Sequence, residues 1–183
     1  MGNLPIYQVV LGESKGLAKM SLVESPAVGV DFLKFTEEKP LNFSIDEDKH
    51  IVFGCALRAD YLIYRRDNKL GEYYVNFTKD AIDNLYQEFL TTNKFNDVNL
   101  NHEQDTNGVH LIQSFIKDKS KGIDPVGFEE VADGSWFCAY KIDNEDVWNE
   151  VKEGKFKGFS VEGIFQLEQT TDDIDSLIDE LMN

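Results

Sequence analysis

Apolar residues fall along this chain mostly in short runs or in alternation, at strand spacing more often than at helical spacing. Residues 6–11 and 18–23 predict two strands near the start. The Ser25-Pro26 step breaks the pattern, because the residue before a proline is pushed out of the helical region. Residues 28–35 predict another strand, and the polar stretch 36–48, with Pro40, predicts a loop. Ile51–Leu57 is continuously apolar, the pattern of a central strand buried on both faces. Residues 61–65 and 72–77, joined through Asn68-Lys69-Leu70-Gly71, predict a hairpin. Further strands are expected over 98–102, 109–117, 136–142 and 156–167, with a long loop that has mobile parts over 119–134.

Helical spacing occurs three times. Thr78 is a suitable N-cap, Asp80 sits in the first turn, and Ile82, Leu85, Tyr86 and Phe89 share a face. Asp143 or Asn144 caps a second helix with the stripe Val147, Trp148, Val151, and Gly154 supplies its left-handed stop. Thr170 or Thr171 caps a third, with Ile174, Leu177, Ile178 and Leu181 on one side. The sum is an α+β fold, mostly β: a barrel-like sheet, closed or half-closed, with two or three peripheral helices. The expected division is a domain over 1–168 and an acidic amphipathic tail over 169–183.

Charge narrows the function. The 183 residues carry 18 Lys and Arg against 34 Asp and Glu, a formal charge of −16. A nucleic-acid binder needs clustered cations to displace counterions from phosphates, and an anionic membrane surface needs the same, so neither is an expected partner. No run of 18 apolar residues exists, and the N-terminal residues lack the basic and apolar regions of a signal peptide. The two cysteines, Cys55 and Cys138, lie in apolar contexts and read as buried, reduced thiols. No zinc spacing and no glycine-rich phosphate loop is present, so no metal or cofactor is expected.

Two segments carry candidate chemistry. In Val98-Asn99-Leu100-Asn101-His102-Glu103, alternation would put His102 at the end of an inward-facing row, rigid yet reachable. A buried structural histidine would read the same way. In Gly158-Phe159-Ser160-Val161-Glu162-Gly163, a serine stands between apolar neighbours inside an expected strand. An unpaired buried hydroxyl costs on the order of 1–3 kcal/mol, and an imidazole partner would remove that cost and activate the oxygen. Gly158 and Gly163 leave room for a substrate backbone. The spacing is one residue longer than the G-x-S-x-G hydrolase elbow, and no helix follows.

Several colinear blocks carry a resemblance. They are Ser21-Leu22-Val23-Glu24-Ser25-Pro26-Ala27-Val28, Tyr61-Leu62-Ile63-Tyr64-Arg65-Arg66-Asp67, Asn101-His102-Glu103, Gly134-Ser135-Trp136-Phe137 and the stretch from Val147 through Gly158-Phe159-Ser160 to Gly163. Together, over roughly 6–167, they resemble the prohead (capsid-maturation) serine proteases of tailed phages, in particular the XkdF-type branch. The resemblance implies a fold similar to herpesvirus assemblin, a β-barrel surrounded by helices. It also implies a serine nucleophile in the Gly-Phe-Ser step and an upstream histidine base, here Ser160 and His102. Glu103, adjacent to His102 in an expected strand, should point the other way. The third member of such a site is left among His110, Gln113, Asp118 or none. His110 matches in type the second histidine of the herpesvirus relatives, and Gln113 stands where many members of the branch carry Glu.

The resemblance implies an endopeptidase inside the procapsid, in the bacterial host cytoplasm, without a cofactor. Its implied partners are the phage scaffold and the major capsid protein, and a homo-oligomer is compatible with it. The alternative is a non-catalytic capsid or packaged structural protein with a protease-derived fold. A third reading is a scaffold-binding adaptor whose function lies in the tail. After Lys157 the chain has no Lys or Arg, and its last 26 residues hold seven acids. An acidic helix with one narrow apolar stripe suits docking in a groove rimmed by basic residues, or packing on its own barrel.

Overall fold

The computed structural model describes residues 4–10, 17–24, 44–163 and 165–170. The strands begin with β1 (Ile6–Val10), β2 (Leu17–Val23), β3 (Ser44–Asp46), β4 (Ile51–Leu57), β5 (Leu62–Asp67) and β6 (Gly71–Asn76). Helix α1 (Lys79–Thr91) follows, then β7 (Val98–Leu100), β8 (Gln104–Thr106), β9 (Val109–Ile116) and β10 (Trp136–Ile142). Helix α2 (Glu145–Lys152), β11 (Gly158–Gly163) and β12 (Gln166–Gln169) complete the described chain. The fold is α+β and mostly β, as the periodicity predicts.

The expected barrel takes the form of three four-stranded sheets, none of them closed: β12-β1-β6-β5, β3-β4-β10-β9 and β11-β2-β7-β8. Two pairings are parallel, β1 with β6 and β2 with β7, and the rest are antiparallel. The expected single strand 156–167 is divided. The register slips between Glu162 and Gly163, β11 ends there, and β12 pairs with β1 in another sheet. Part of the expected loop 36–48 is the short strand β3, paired with β4. The expected strand over 28–35 lies outside the described residues, and so does the third helix beyond Thr170.

The core is where the apolar runs meet. Five of the seven residues of β10 (Trp136, Phe137, Cys138, Tyr140, Ile142) have no exposed surface, because one face meets the main core and the other a cluster of Phe53, Phe115, Phe128 and Phe137. Each fully buried large apolar side chain contributes roughly 1.5–3 kcal/mol. Helix α1 begins at Thr78, whose hydroxyl accepts from Ala81 N, and lays Ala81, Ile82, Leu85 and Phe89 inward, with Phe89 against Trp136 at 5.1 Å. Helix α2 is capped by Asn144 and buries Val147, Trp148 and Val151, and Gly154 follows with φ 74°. The segment 119–134 is more firmly held than expected. Lys117, fully buried, donates from Nζ to Phe128 O (2.7 Å) and Glu129 O (3.3 Å) and pairs with Asp124 (2.9 Å). Those bonds hold Phe128 and Val131 against the outer face of the sheet.

Candidate functional site

The site is built on the sheet β11-β2-β7-β8. Its register sets Ser160 opposite Ser21, Ser21 beside Asn99, and Asn99 opposite Asp105. Side chains alternate across a strand, so these residues form one polar row on one face. Met20, Leu22, Val98 and Phe159 point the other way and are buried in the core. Ser21 and Asn99 are themselves buried.

His102 reaches this row from a turn. The sequence places it in a strand over 98–102, but β7 ends at Leu100 and the strand alternation ends with it. Asn101 and His102 both take left-handed backbone conformations, with φ 51° and 63°. Asn tolerates this region; a histidine there is uncommon and stores roughly 1–3 kcal/mol of strain. The surroundings hold it. Asn101 N donates to Leu22 O (2.9 Å), Glu103 N to Leu100 O (3.0 Å), and His102 N to Asn99 Oδ1 (3.2 Å). The Asn101 side chain and Glu24 clamp each other at 3.1 Å in both directions. The turn folds the imidazole back over the face that carries Ser21 and Asn99, the opposite of the face that alternation assigns it. Glu103 is exposed.

His102 Nε2 lies 3.0 Å from Ser160 Oγ, and Nδ1 lies 2.8 Å from Ser21 Oγ. Ser21 Oγ donates to Asn99 Oδ1 at 2.5 Å, and Asn99 Nδ2 donates to Glu162 Oε2 at 2.7 Å. Glu162 Oε2 is 3.7 Å from His102 Nδ1. Lys19, opposite Glu162, forms a short ion pair with Asp105 that raises its own pKa. Ser160 and His102 are thus brought together, though not from neighbouring strands: β2 runs between β11 and β7.

The three candidates for a third member lie elsewhere. His110 and Gln113 are on β9, in a different sheet; His110 Nε2 faces Asp143 at 3.7 Å, and Gln113 is exposed. Asp118 closes the turn over Lys119–Lys121, where bonds from Lys121 and Ser120 hold its carboxyl down at about 2. Sequence reasoning missed Ser21 and Asn99. Met20-Ser21-Leu22 and Val98-Asn99-Leu100 carry the signal that singled out Ser160, a polar residue inside an apolar strand.

Two hollows meet at Ser160. A cleft of about 460 Å³ has mainly apolar walls, among them Val9, Leu57, Ile63, Val75, Phe77 and Phe165. A more polar depression of about 600 Å³ is edged by Glu24, Asn101 and Glu103. Ser160, His102 and Arg65 line both. Partial desolvation lowers the Arg65 pKa, with Tyr73 opposing the shift. Among the described residues no group of His, Cys, Asp and Glu is arranged to hold a metal ion.

A serine hydroxyl in contact with an accessible imidazole at the mouth of a cleft is the elementary unit of nucleophilic acyl transfer. That defines a class, the serine hydrolases, whose chemistry this arrangement can perform. The chain belongs to the family described as "Putative phage serine protease XkdF", whose sequence profile matches residues 42–168. The matched span holds His102 and Ser160 and excludes Ser21. No curated protein and no solved structure gives a match to the chain.

Proposed function

We propose that this protein is a prohead-maturation endopeptidase of a tailed phage, acting inside the procapsid in the host cytoplasm and related in fold to the assemblin-like proteases. Its substrates are the scaffold, the N-terminal extension of the major capsid protein, or both. The observation that carries the reading is the 3.0 Å contact between His102 Nε2 and Ser160 Oγ at the junction of two hollows. Membership in a phage serine protease family supports it.

The mechanism follows from the groups present. An extended substrate lays an apolar side chain into the cleft and its scissile carbonyl over Ser160. Ser160 Oγ attacks the carbonyl carbon while Nε2 of His102 takes the hydroxyl proton. The imidazolium passes that proton to the leaving amine as the C–N bond breaks, leaving an ester on Ser160. Water, deprotonated by the same nitrogen, hydrolyses the ester and restores the serine. No cofactor takes part.

The test mixes the purified chain with its neighbouring scaffold and capsid proteins and maps new termini by mass spectrometry. Ser160→Ala and His102→Ala should each abolish cleavage, and the double variant should be no worse than either, because the two act as a unit. Circular dichroism and thermal unfolding should stay close to the parent. A Ser160→Ala variant that cleaves at the parent rate would overturn the serine mechanism, and a parent chain that yields no new termini would instead support the non-catalytic capsid or packaged structural protein.

A further inference from the structure

We infer that Ser21 is a positioning residue, which through Asn99 and Glu162 fixes the tautomer of His102 that can accept a proton from Ser160. The inference rests on the reading of Ser160 and His102 given above and concerns residues that reading does not use.

The direction of each bond follows from what each group can donate. A carboxylate only accepts, so the nitrogen of the Asn99 amide must face Glu162 Oε2, at 2.7 Å. The amide oxygen then faces the other way. Two donors meet it there: the His102 backbone N–H at 3.2 Å and the Ser21 hydroxyl at 2.5 Å. A backbone N–H can only donate, so it fixes the amide orientation independently of Glu162. Ser21 has one hydroxyl proton, and that proton lies on the bond to Asn99. Towards His102 Nδ1, 2.8 Å away, Ser21 Oγ can only accept. Nδ1 therefore carries the ring proton, and Nε2 presents its lone pair to the Ser160 hydroxyl at 3.0 Å. The chain runs Ser160 hydroxyl, His102 imidazole, Ser21 hydroxyl, Asn99 amide, Glu162 carboxylate, with each of the first four donating once along it and the carboxylate accepting at its end.

Burial makes the chain stiff. Ser21 has no exposed surface and Asn99 is 3 % exposed, so water does not compete for their bonds. Strand register places both from the backbone up, Ser21 in the middle strand of the three that carry the site. When Nε2 takes the serine proton, the Nδ1–H bond to Ser21 remains, and the Glu162 carboxylate lies 3.7 Å from Nδ1 on that side of the ring. An oriented group at Nδ1 is what a base of this kind requires, and here a neutral hydroxyl backed by a buried amide supplies it.

The test is nitrogen NMR of the full chain labelled at its imidazoles, at a pH where His102 is neutral. Its signal is identified by its loss in His102→Gln. The parent protein should show His102 protonated at Nδ1. In Ser21→Ala the population should move towards the Nε2–H form, and kcat on a capsid-derived peptide should fall about tenfold, the factor one neutral hydrogen bond carries, with KM little changed. Ser21→Thr, which keeps the hydroxyl, should retain the parent tautomer. A parent protein whose His102 is protonated at Nε2 overturns the inference, even if Ser160 is required for cleavage. A Nδ1–H form that survives in Ser21→Ala overturns it as well. A Nδ1–H form that shifts in Ser21→Ala, in a protein with no Ser160-dependent cleavage, upholds the tautomer control and defeats the protease reading alone.

Discussion

A polar side chain in the middle of an apolar strand costs on the order of 1–3 kcal/mol if it is buried without a partner. Ser21, Asn99 and Ser160 all stand in that position, and they avoid the cost by bonding to one another through His102. The same reasoning identifies the residues that are not chemical. Cys55 and Cys138 are buried and free, and burial pushes both thiols up, Cys138 to about 12 and Cys55 further. The thiolate is the reactive form, so iodoacetamide should label neither cysteine in the native protein at neutral pH and both after unfolding. The pH dependence has a definite sign. The folded thiols hold their protons more tightly than unfolded thiols at 9.0, so their contribution to stability is complete below about pH 9 and is lost as pH rises through their folded pKa values. Denaturant midpoints followed from pH 8 to 11 should fall in the parent and fall less in a Cys55→Ala, Cys138→Ala protein. Rapid native labelling at either position would contradict the burial argument.

At the scale of elements, the turn between β7 and β8 decides whether a site exists. Sequence periodicity identifies β7 and identifies His102, but two left-handed residues invert the face on which the ring arrives. No local pattern announces that inversion, because the bonds that enforce it come from Leu22 and Glu24, far away in the chain. Asn101→Ala removes the Glu24 clamp and places a Cβ-only side chain at φ 51°. It should cost about 1–2 kcal/mol of stability and lower kcat more than KM, since His102 shifts while the cleft stays. Unchanged kinetics in a destabilised variant would separate the turn from the chemistry. The segment 119–134 shows a second such effect. Gly, Pro and acids mark it as loop, yet one buried cation fastens it. Lys117→Met should leave Asp124 and two carbonyls without their donor, costing roughly 1–3 kcal/mol. Limited proteolysis should then cut within 119–134 well before global unfolding.

Over the whole molecule, what was legible in the sequence is what short-range pattern controls. The continuous apolar runs give β4 and β10 with their observed ends, and the caps at Thr78 and Asn144 start both helices. Sheet membership was not legible. The parallel pairing of β2 with β7 joins residues 78 apart, and the change of sheet after Gly163 depends on β1 being free to accept β12. The serine and the histidine were legible as residue types and by resemblance, whereas Ser21 and Asn99 became visible only through that long-range register. The segment beyond β12 is governed by charge. Thr170 N still donates to Ile6 O, so the chain is fastened to β1 up to that point. The remaining sequence, 171–183, carries Asp172, Asp173, Asp175, Asp179 and Glu180 with no Lys or Arg to balance them. These five carboxylates within thirteen residues are part of the chain's net −16, and the −11 carried by the rest of the molecule repels them and favours a basic partner. Ile174, Leu177, Ile178 and Leu181 give that segment a narrow apolar stripe, and a helix of this length is marginal alone in water, so a partner's groove would be what forms it. Deleting 171–183 should therefore leave the unfolding temperature and cleavage of a short peptide unchanged, and should weaken binding to the scaffold or capsid protein. The part of the affinity lost should be the part that falls with salt, so that parent and truncated chain converge above about 0.5 M, where the Debye length is only a few ångströms. A truncated chain that unfolds early, or that binds the proposed scaffold or capsid partner as the parent does at low salt, would show that the acidic segment packs on its own domain or does nothing in docking.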